Sequence, residues 1–241
     1  MTVTPITAFS GDRSARLAEL LAETSPEARR RRVEAATRPA LPALAPLLPD
    51  GRLPRGTVVE VFDDRYLLGA LAAGAAQDPR CYVGIIAFED LGLAALDALG
   101  VPFSRMAVVD APGPRWPDVV AAMAREEAFG VLLLGSTEPP GPRTHQRIAA
   151  LLRESGTTLL TTTPWPGAAL RLTTSEQQCI GLGDGWGQVT HRTATVHCTG
   201  RGRAGTHTRS LFLLLPGPDG TAQPLTAATD QQPAPATAIT A

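Results

Sequence analysis

The fold of this chain is constrained most by an alternation of short β-branched runs with alanine- and leucine-rich segments between residues 57 and 163. The expected strands are Thr57–Phe62, Tyr82–Phe88, Met106–Asp110, Val131–Leu134 and Thr157–Thr163, and the expected helices are 66–76, 91–99, 117–129 and 143–155. Strands that alternate with helices in this way indicate βαβ units. We therefore predict an α/β fold with a mainly parallel sheet that helices cover on both faces.

Different patterns flank this region on both sides. A first helix after Asp12 would place Leu17, Leu20 and Leu21 on one face, and Ser25-Pro26 would begin a second helix that runs toward Arg38. Beyond Pro164, we expect antiparallel strands at 169–175, 189–199 and 206–215, with a hairpin at Asp184-Gly185. The expected units are N-terminal helices (1–38), a proline-rich linker (39–52), the core (53–215) and a disordered tail (216–241).

Composition excludes several classes of function. All 22 basic residues are arginine, so the chain contains no lysine for a Schiff base, a Ser-Lys dyad or a phosphate-binding loop. The formal net charge of −1 argues against a protein that coats nucleic acid by charge alone. No apolar run approaches the length of a membrane helix, and Met1 to Phe9 has no signal-peptide pattern. We therefore expect a cytoplasmic protein without membrane contact.

Two stretches carry a resemblance to a known family. Leu53-Pro-Arg-Gly56 precedes the strand Thr57-Val-Val-Glu-Val61, and Phe88-Glu89 precedes the helix that ends in Leu99-Gly100-Val101. In this order and spacing they resemble the core of RecA ATPases over residues 53–215. The resemblance implies a RecA-like P-loop NTPase core with an antiparallel C-terminal extension. It aligns Glu89 with the catalytic acid of the family, although a structural role as a carboxylate at a helix N-terminus is the alternative that we favour.

The nucleotide-binding motifs of that family are missing. The first strand runs into Asp63, Asp64, Arg65 and Tyr66 where glycines, lysine and threonine would bind phosphate, and Gly135 stands where an aspartate would hold Mg²⁺. The two carboxylates would repel a nucleoside triphosphate. We therefore predict a degenerate loop, no cofactor, no metal and no ATP hydrolysis. The rival hypothesis is a DNA-dependent ATPase in which Arg65 replaces the lysine, and an open loop at 63–66 would favour it.

Among RecA-like proteins, the chain resembles the ImuA group in its actinobacterial form. That resemblance implies a non-catalytic adaptor in the DNA-damage response and in error-prone translesion synthesis. The implied partners are an ImuB-like inactive Y-family polymerase and a DnaE-type error-prone polymerase, with RecA as a further candidate. DNA contact would be weak or indirect, and the protein would associate with the nucleoid during damage. A SulA-like division inhibitor is a second alternative, because that group shares a similar reduced fold.

Several side chains are candidates for partner contacts. Arg29, Arg30, Arg31 and Arg32 form either a solvated helix face or an acidic-partner site, while Leu17, Leu20 and Leu21 would supply an apolar anchor. Trp165 lies between two prolines and is either a lid on the core or an interface anchor. The spacing of His191, His197, Cys198 and His207 fits no metal finger, and strand alternation would scatter them over two faces.

Overall fold

The computed structural model describes residues 25–126, 128–135, 137–182, 187–202 and 205–225. The helices are α1 (Pro26–Ala36), α2 (Arg65–Ala75), α3 (Leu93–Leu99), α4 (Trp116–Arg125) and α5 (Pro142–Ser155). The strands are β1 (Thr37–Arg38), β2 (Leu53–Pro54), β3 (Val58–Val61), β4 (Tyr82–Ile86), β5 (Met106–Val109), β6 (Phe129–Leu134), β7 (Thr158–Thr161), β8 (Leu170–Leu182), β9 (Gly187–Gly202), β10 (Gly205–Leu214) and β11 (Gln223–Pro224).

Within these residues, nine strands form one mixed sheet in the order β11-β10-β9-β8-β3-β7-β6-β4-β5. Strands β3 to β7 run parallel, β8 adds to β3 in parallel, and β9 to β11 follow as antiparallel neighbours. The predicted α/β class, with a large and mostly parallel sheet and antiparallel strands at one end, is therefore confirmed. None of the helices in the described ranges has both the length and the apolar character of a membrane span.

Helices cover the parallel strands on both faces. On one face, α2 and α3 pack on the sheet through side chains such as Leu67, Leu71 and Leu96. On the other face, α4 and α5 pack through Val120 and Ile148. The nearly continuous apolar strands β3, β4, β6 and β7 follow from this arrangement, because they are covered on both sides. The edge strand β5 is only partly buried.

The proline-rich segment differs from the linker that its composition predicts. Leu44, Leu47 and Leu48 are fully buried and belong to the same core cluster as α2. His207 Nε2 on β10 donates to the carbonyl of Leu47 at 2.6 Å, which fastens the segment to the antiparallel strands. The prolines exclude an α-helix but permit two short 3₁₀ turns, Ala45–Leu47 and Pro49–Gly51. The segment is thus a layer of the core.

The ends of the described chain are also ordered. Ser25 caps α1 as predicted, since its Oγ accepts a hydrogen bond from the Ala28 amide at 3.1 Å. At the other end, residues 216–225 are not a disordered tail, because β11 pairs with β10 and the Tyr66 hydroxyl donates to the carbonyl of Gly220. The predicted first helix with Leu17, Leu20 and Leu21, the hairpin dipeptide Asp184-Gly185 and residues 226–241 lie outside the described residues.

Candidate functional site

The connection from β3 to α2 is the segment for which the sequence predicts a degenerate phosphate loop. Only Phe62, Asp63 and Asp64 separate the two elements, and Arg65 and Tyr66 already belong to the first turn of the helix. A phosphate-binding loop of the G-x-x-x-x-G-K-[ST] type spans about eight residues, whose amides surround the phosphates. The open loop at 63–66 that would favour an ATPase is therefore absent from this described part of the chain.

Asp64 fills the N-terminus of α2 with its own carboxylate. Oδ1 accepts a hydrogen bond from the Leu67 amide at 2.9 Å, which makes Asp64 the N-cap of the helix. Oδ2 forms an ion pair with the Arg192 guanidinium at 2.7 Å, and the Asp64 side chain is only 1% exposed. A helix N-terminus attracts anions through its free amides and dipole. Here an internal carboxylate already satisfies that attraction.

Arg192 holds this carboxylate from the antiparallel part of the sheet. Its Nε donates to the carbonyl of Leu215 at 2.6 Å, and its NH1 donates to Gln177 Oε1 at 2.8 Å. Together with the bond to Asp64, these contacts engage each of the three guanidinium nitrogens. The Arg192 guanidinium on β9 therefore joins β8 and the chain after β10 to the N-cap of α2.

Tyr66 adds a second link over the same helix start. Its hydroxyl donates to the carbonyl of Gly220 at 2.9 Å. Burial, together with the nearby carboxylate of Asp219, raises the pKa of Tyr66 to about 12. Tyr66 thus remains a neutral donor at physiological pH, and its hydroxyl joins the first turn of α2 to the turn around Gly220.

An open cleft of about 710 Å³ lies beside this helix start, at the carboxyl ends of the parallel strands. Ligands of parallel α/β sheets commonly bind at such ends. The charged side chains that line the cleft are Arg65, Glu89, Asp90, Asp110 and Glu138. Arg65 is paired with Asp90 at 2.7 Å, so carboxylates dominate the remaining charge. This cleft is electrostatically unsuited to a polyphosphate.

Glu89 lies in this cleft rather than at a helix start. Helix α3 begins at Leu93 with Gly92 as its N-cap, so Glu89 precedes the first turn by several residues. The expected interaction with a helix N-terminus is therefore wrong, since the dipole effect is confined to the terminal turn. Glu89 is exposed and lines the wall of the cleft beside Phe88 and Asp90.

Gly135 follows β6, at the position where the resemblance implies an aspartate in active relatives. A β-carbon at Gly135 would lie 2.0 Å from the carbonyl oxygen of Ala87, far inside contact distance. Its amide donates to the carbonyl of Ile86 at 2.9 Å, which holds the two strand ends together. No side chain fits there unless this backbone moves, so the position cannot carry a ligand for Mg²⁺.

The histidines and cysteine whose spacing argues against a metal site are separated from one another. His197 lies on the outer face of β9, where it bridges Ser175 Oγ at 2.8 Å and Ser210 Oγ at 2.7 Å. Cys198 is buried on the opposite face, and burial raises its thiol pKa to about 11. Within the described residues, no three His, Cys, Asp or Glu side chains are grouped so that they could hold a metal ion.

The arginine helix and Trp165 have contrasting environments. Helix α1, which carries Arg29 to Arg32, buries none of its residues, and Arg30 forms a 3.3 Å ion pair with Glu34.

Trp165 is 1% exposed and packs edge-to-face on Trp116, with ring centroids 6.3 Å apart. The interface-anchor interpretation of Trp165 is therefore wrong, and its role is that of a core side chain. Leu17, Leu20 and Leu21 lie outside the described residues.

Arg192 is the residue of the site that the sequence did not reveal. It lies 128 residues after Asp64, in a strand without any local motif, so only the folded sheet brings the two together.

Comparison with protein-family models matches residues 46–167 to the MT3502 N-terminal domain. The match covers the parallel strands and Asp64 but ends before β8 and Arg192. A search of curated proteins finds no match.

Proposed function

This chain belongs to the MT3502 N-terminal domain family, and from the geometry of its site we propose that it is a non-catalytic RecA-like adaptor of an error-prone translesion synthesis complex. The observation that carries the proposal is the closed start of α2. Asp64 occupies the place of a phosphate, and Arg192 neutralises Asp64 rather than a ligand. An adaptor needs the folded core as a binding surface but does not need to bind a nucleotide. The closed start of α2 fits that requirement.

The arrangement of the core supports the RecA-like part of the proposal. Strand β3, which would lead into the phosphate loop, lies between β7 and β8 in the interior of the sheet. Its carboxyl end therefore opens beside the ends of the other parallel strands, where a nucleotide would bind in an active relative. The interior position of β3 is the position expected from the resemblance of residues 53–215 to RecA ATPases. The lack of phosphate ligands at its end fits an adaptor rather than an active ATPase.

The rival ATPase would require Arg65 to act in place of a lysine. The Arg65 guanidinium instead forms a bidentate pair with Asp90, at 2.9 Å for Nε–Oδ1 and 2.7 Å for NH2–Oδ2. A phosphate would have to displace Asp90 and then tolerate Asp63 and Glu89 nearby. This arrangement favours the adaptor over the enzyme.

The partners follow from the ImuA resemblance and belong to the same proposal. An ImuB-like inactive Y-family polymerase, a DnaE-type polymerase and RecA are the candidates, in the cytoplasm and at the nucleoid during DNA damage. The exposed helix α1, with Arg29 to Arg32, provides a basic surface for an acidic region of one of them. None of the residues of α1 is fully buried, so the outer face of the helix is accessible to a partner.

The first test is nucleotide binding. We expect isothermal titration calorimetry of the full chain with ATP and Mg²⁺ to show no binding, because lysine, loop glycines and a Mg²⁺ aspartate are all missing. A dissociation constant below about 100 μM, or about 5.4 kcal/mol of binding, would contradict this expectation. The Arg65→Ala variant is the control, since any binding that it removes would point to the rebuilt ATPase site.

The second test separates helix α1 from the core. Removal of residues 1–34 should leave the melting temperature within a few degrees of the full chain, because α1 buries no side chain. The cut spares Ala35 and Ala36, whose carbonyls accept hydrogen bonds from Arg55, and the buried Arg38. We expect the truncated chain to lose co-purification with the ImuB-like partner.

A matched pair of charge reversals controls for the truncation. Arg29→Glu with Arg31→Glu should weaken co-purification, whereas Arg115→Glu with Arg143→Glu changes two exposed arginines elsewhere and should not. Normal assembly by a stable truncated chain would remove α1 from the proposal. Recovery of a cell-division protein in place of the polymerases would favour the SulA-like alternative.

A further inference from the structure

A groove of about 650 Å³ lies between helix α1 and the turn that precedes β2. One wall is a single stripe of α1, whose members recur every three or four residues along the helix: Pro26, Arg29, Arg30, Val33 and Glu34. The opposite wall consists of Asp50 and Arg52. Arg31 and Arg32 do not line the groove. It therefore joins only part of the arginine helix to the proline-rich layer of the core.

The hydroxyl of Thr37 holds the two walls together. It donates to the carbonyl of Val33 on α1 and accepts a hydrogen bond from Arg52 Nε at 2.8 Å. Thr37 itself belongs to β1, which pairs with β2 immediately after Arg52. Both walls are thus fixed in position by the fold. Because binding to a fixed groove orders little of the protein, more of the contact energy is available as affinity.

The groove contains guanidinium groups that lack a carboxylate partner. Arg29 forms no side-chain contact with any described residue, and Arg52 uses only Nε, which leaves its two terminal nitrogens available. Arg30 is already paired with Glu34 at 3.3 Å. Among the described lining residues, Asp50 is then the one unpaired carboxylate against two unpaired arginines. Guanidinium groups pair with carboxylates through parallel hydrogen bonds, so the groove suits an acidic ligand.

The other lining residues favour a peptide over a nucleic acid. Val33 is half-buried on the floor of the groove and offers an apolar contact, as does Pro26. A nucleic-acid strand carries a charge on every phosphate and would meet the carboxylates of Glu34 and Asp50. A peptide can place a neutral or apolar residue opposite each of them and an acidic residue opposite each free arginine.

We propose that this groove binds a short acidic segment of a protein partner, with carboxylates on Arg29 and Arg52 and an apolar side chain on Val33. Arginine clusters recognise acidic motifs of peptides in this way. The inference rests on the proposed adaptor function, because it specifies the chemistry that α1 recognises. It adds Arg52, a residue outside α1, to the recognition site.

Fluorescence anisotropy of the full chain with a labelled peptide tests the groove. The peptide alternates pairs of glutamates with single leucines, and the same peptide with glutamines is its control. We expect the glutamate peptide to bind with a dissociation constant below about 100 μM and more weakly as salt is added. We expect no measurable binding of the glutamine peptide.

Charge reversals locate the binding. Arg29→Glu and Arg52→Glu should each weaken binding of the glutamate peptide at least about fivefold. Arg143→Glu, which reverses an exposed arginine on α5, is the matched control and should leave binding unchanged. Circular dichroism melts establish that the variants fold. Arg29→Glu removes no side-chain contact among the described residues, so it decides the question even if loss of the Thr37 hydrogen bond unfolds Arg52→Glu.

Several results would overturn the proposal. These are no binding of the glutamate peptide at about 100 μM, equal binding of both peptides, or unchanged binding by the folded Arg29→Glu variant. Labelled oligothymidylate provides a further arm. Tighter binding of oligothymidylate than of the peptide, lost in Arg29→Glu, would make the groove a nucleic-acid site and also overturn the proposal.

The peptide assay does not contain the ImuB-like partner, so a failure of this inference is distinguishable from a failure of the adaptor function. Peptide binding that both reversals weaken, without any co-purification of the polymerases, would support the groove and count against the adaptor. Co-purification that survives Arg52→Glu but not the joint reversal of Arg29 and Arg31 would keep α1 as the docking element and remove the groove.

Discussion

Replacing Asp64 with alanine is expected to destabilise this protein by about 4 kcal/mol, because the change leaves Arg192 without its buried partner. The Asp64 side chain is 1% exposed and that of Arg192 17%, so water cannot replace the lost carboxylate at low cost. The variant also loses the N-cap of α2, since no side chain then accepts the Leu67 amide. Urea denaturation followed by circular dichroism measures the change.

An exposed ion pair at the same helix start is the matched control. Asp90→Ala removes the partner of Arg65, but both of these side chains are about half exposed. The expected change in the free energy of unfolding is therefore below about 1 kcal/mol. Similar losses in the two variants would mean that Asp64 and Arg192 are solvated, and that the start of α2 is open to a ligand.

Asp64→Ala also bears on function. It removes one carboxylate from the start of α2 but supplies neither the glycines nor the lysine of a phosphate-binding loop. We therefore expect that the folded Asp64→Ala protein still does not bind ATP. The double variant Asp64→Ala/Arg192→Ala should lose less free energy of unfolding than the two single variants lose in sum. Each single change leaves the other charge buried without a partner.

Replacing Trp165 with alanine is expected to cost about 3–5 kcal/mol, as for other buried tryptophans. The indole packs on Trp116 and on the His145 ring, whose centroid is 5.5 Å away. The amide of Trp165 donates to Glu60 Oε2 at 3.1 Å, and this backbone contact is available in the variant. The loss therefore reports side-chain packing. Chemical denaturation with tryptophan fluorescence measures it.

Phe62→Ala provides the comparison for Trp165. Phe62 is an aromatic residue of the β3–α2 connection, but most of its side chain is exposed. Its removal should change stability by about 0.5 kcal/mol or less. If Trp165→Ala were equally mild and instead abolished partner co-purification, Trp165 would be an interface anchor after all. Trp165→Phe should recover a large part of the stability if the role is packing.

The regular elements of the parallel core could be predicted because their signals are local. Strand β6 was expected at 131–134 and spans Phe129–Leu134, and helix α5 was expected at 143–155 and spans Pro142–Ser155. In each case, an apolar run or an apolar periodicity lies within the element itself. The helix end at Ser155 is followed by Gly156 with a φ of 69°, a conformation that glycine adopts without strain.

The proline-rich segment shows where local reasoning misled. Four prolines between residues 39 and 49 predict an interrupted chain, and the interruption is real. The leucines at 44, 47 and 48 are nevertheless buried, because short 3₁₀ turns suffice to direct them at α2 and the sheet. Proline prevents an α-helix, but the burial of the neighbouring leucines still contributes favourable free energy to folding.

By itself, the sequence determined the parallel α/β core and the absence of a phosphate-loop motif after β3, since both depend on residues that are neighbours in the chain. Tertiary structure alone decided what occupies the start of α2. Asp64 could have remained a solvated loop carboxylate, but β9 places Arg192 beside it from 128 positions away. A contact between distant residues leaves no periodicity or motif in the sequence. It arises only when sheet pairing fixes the register of the strands that carry the two charges.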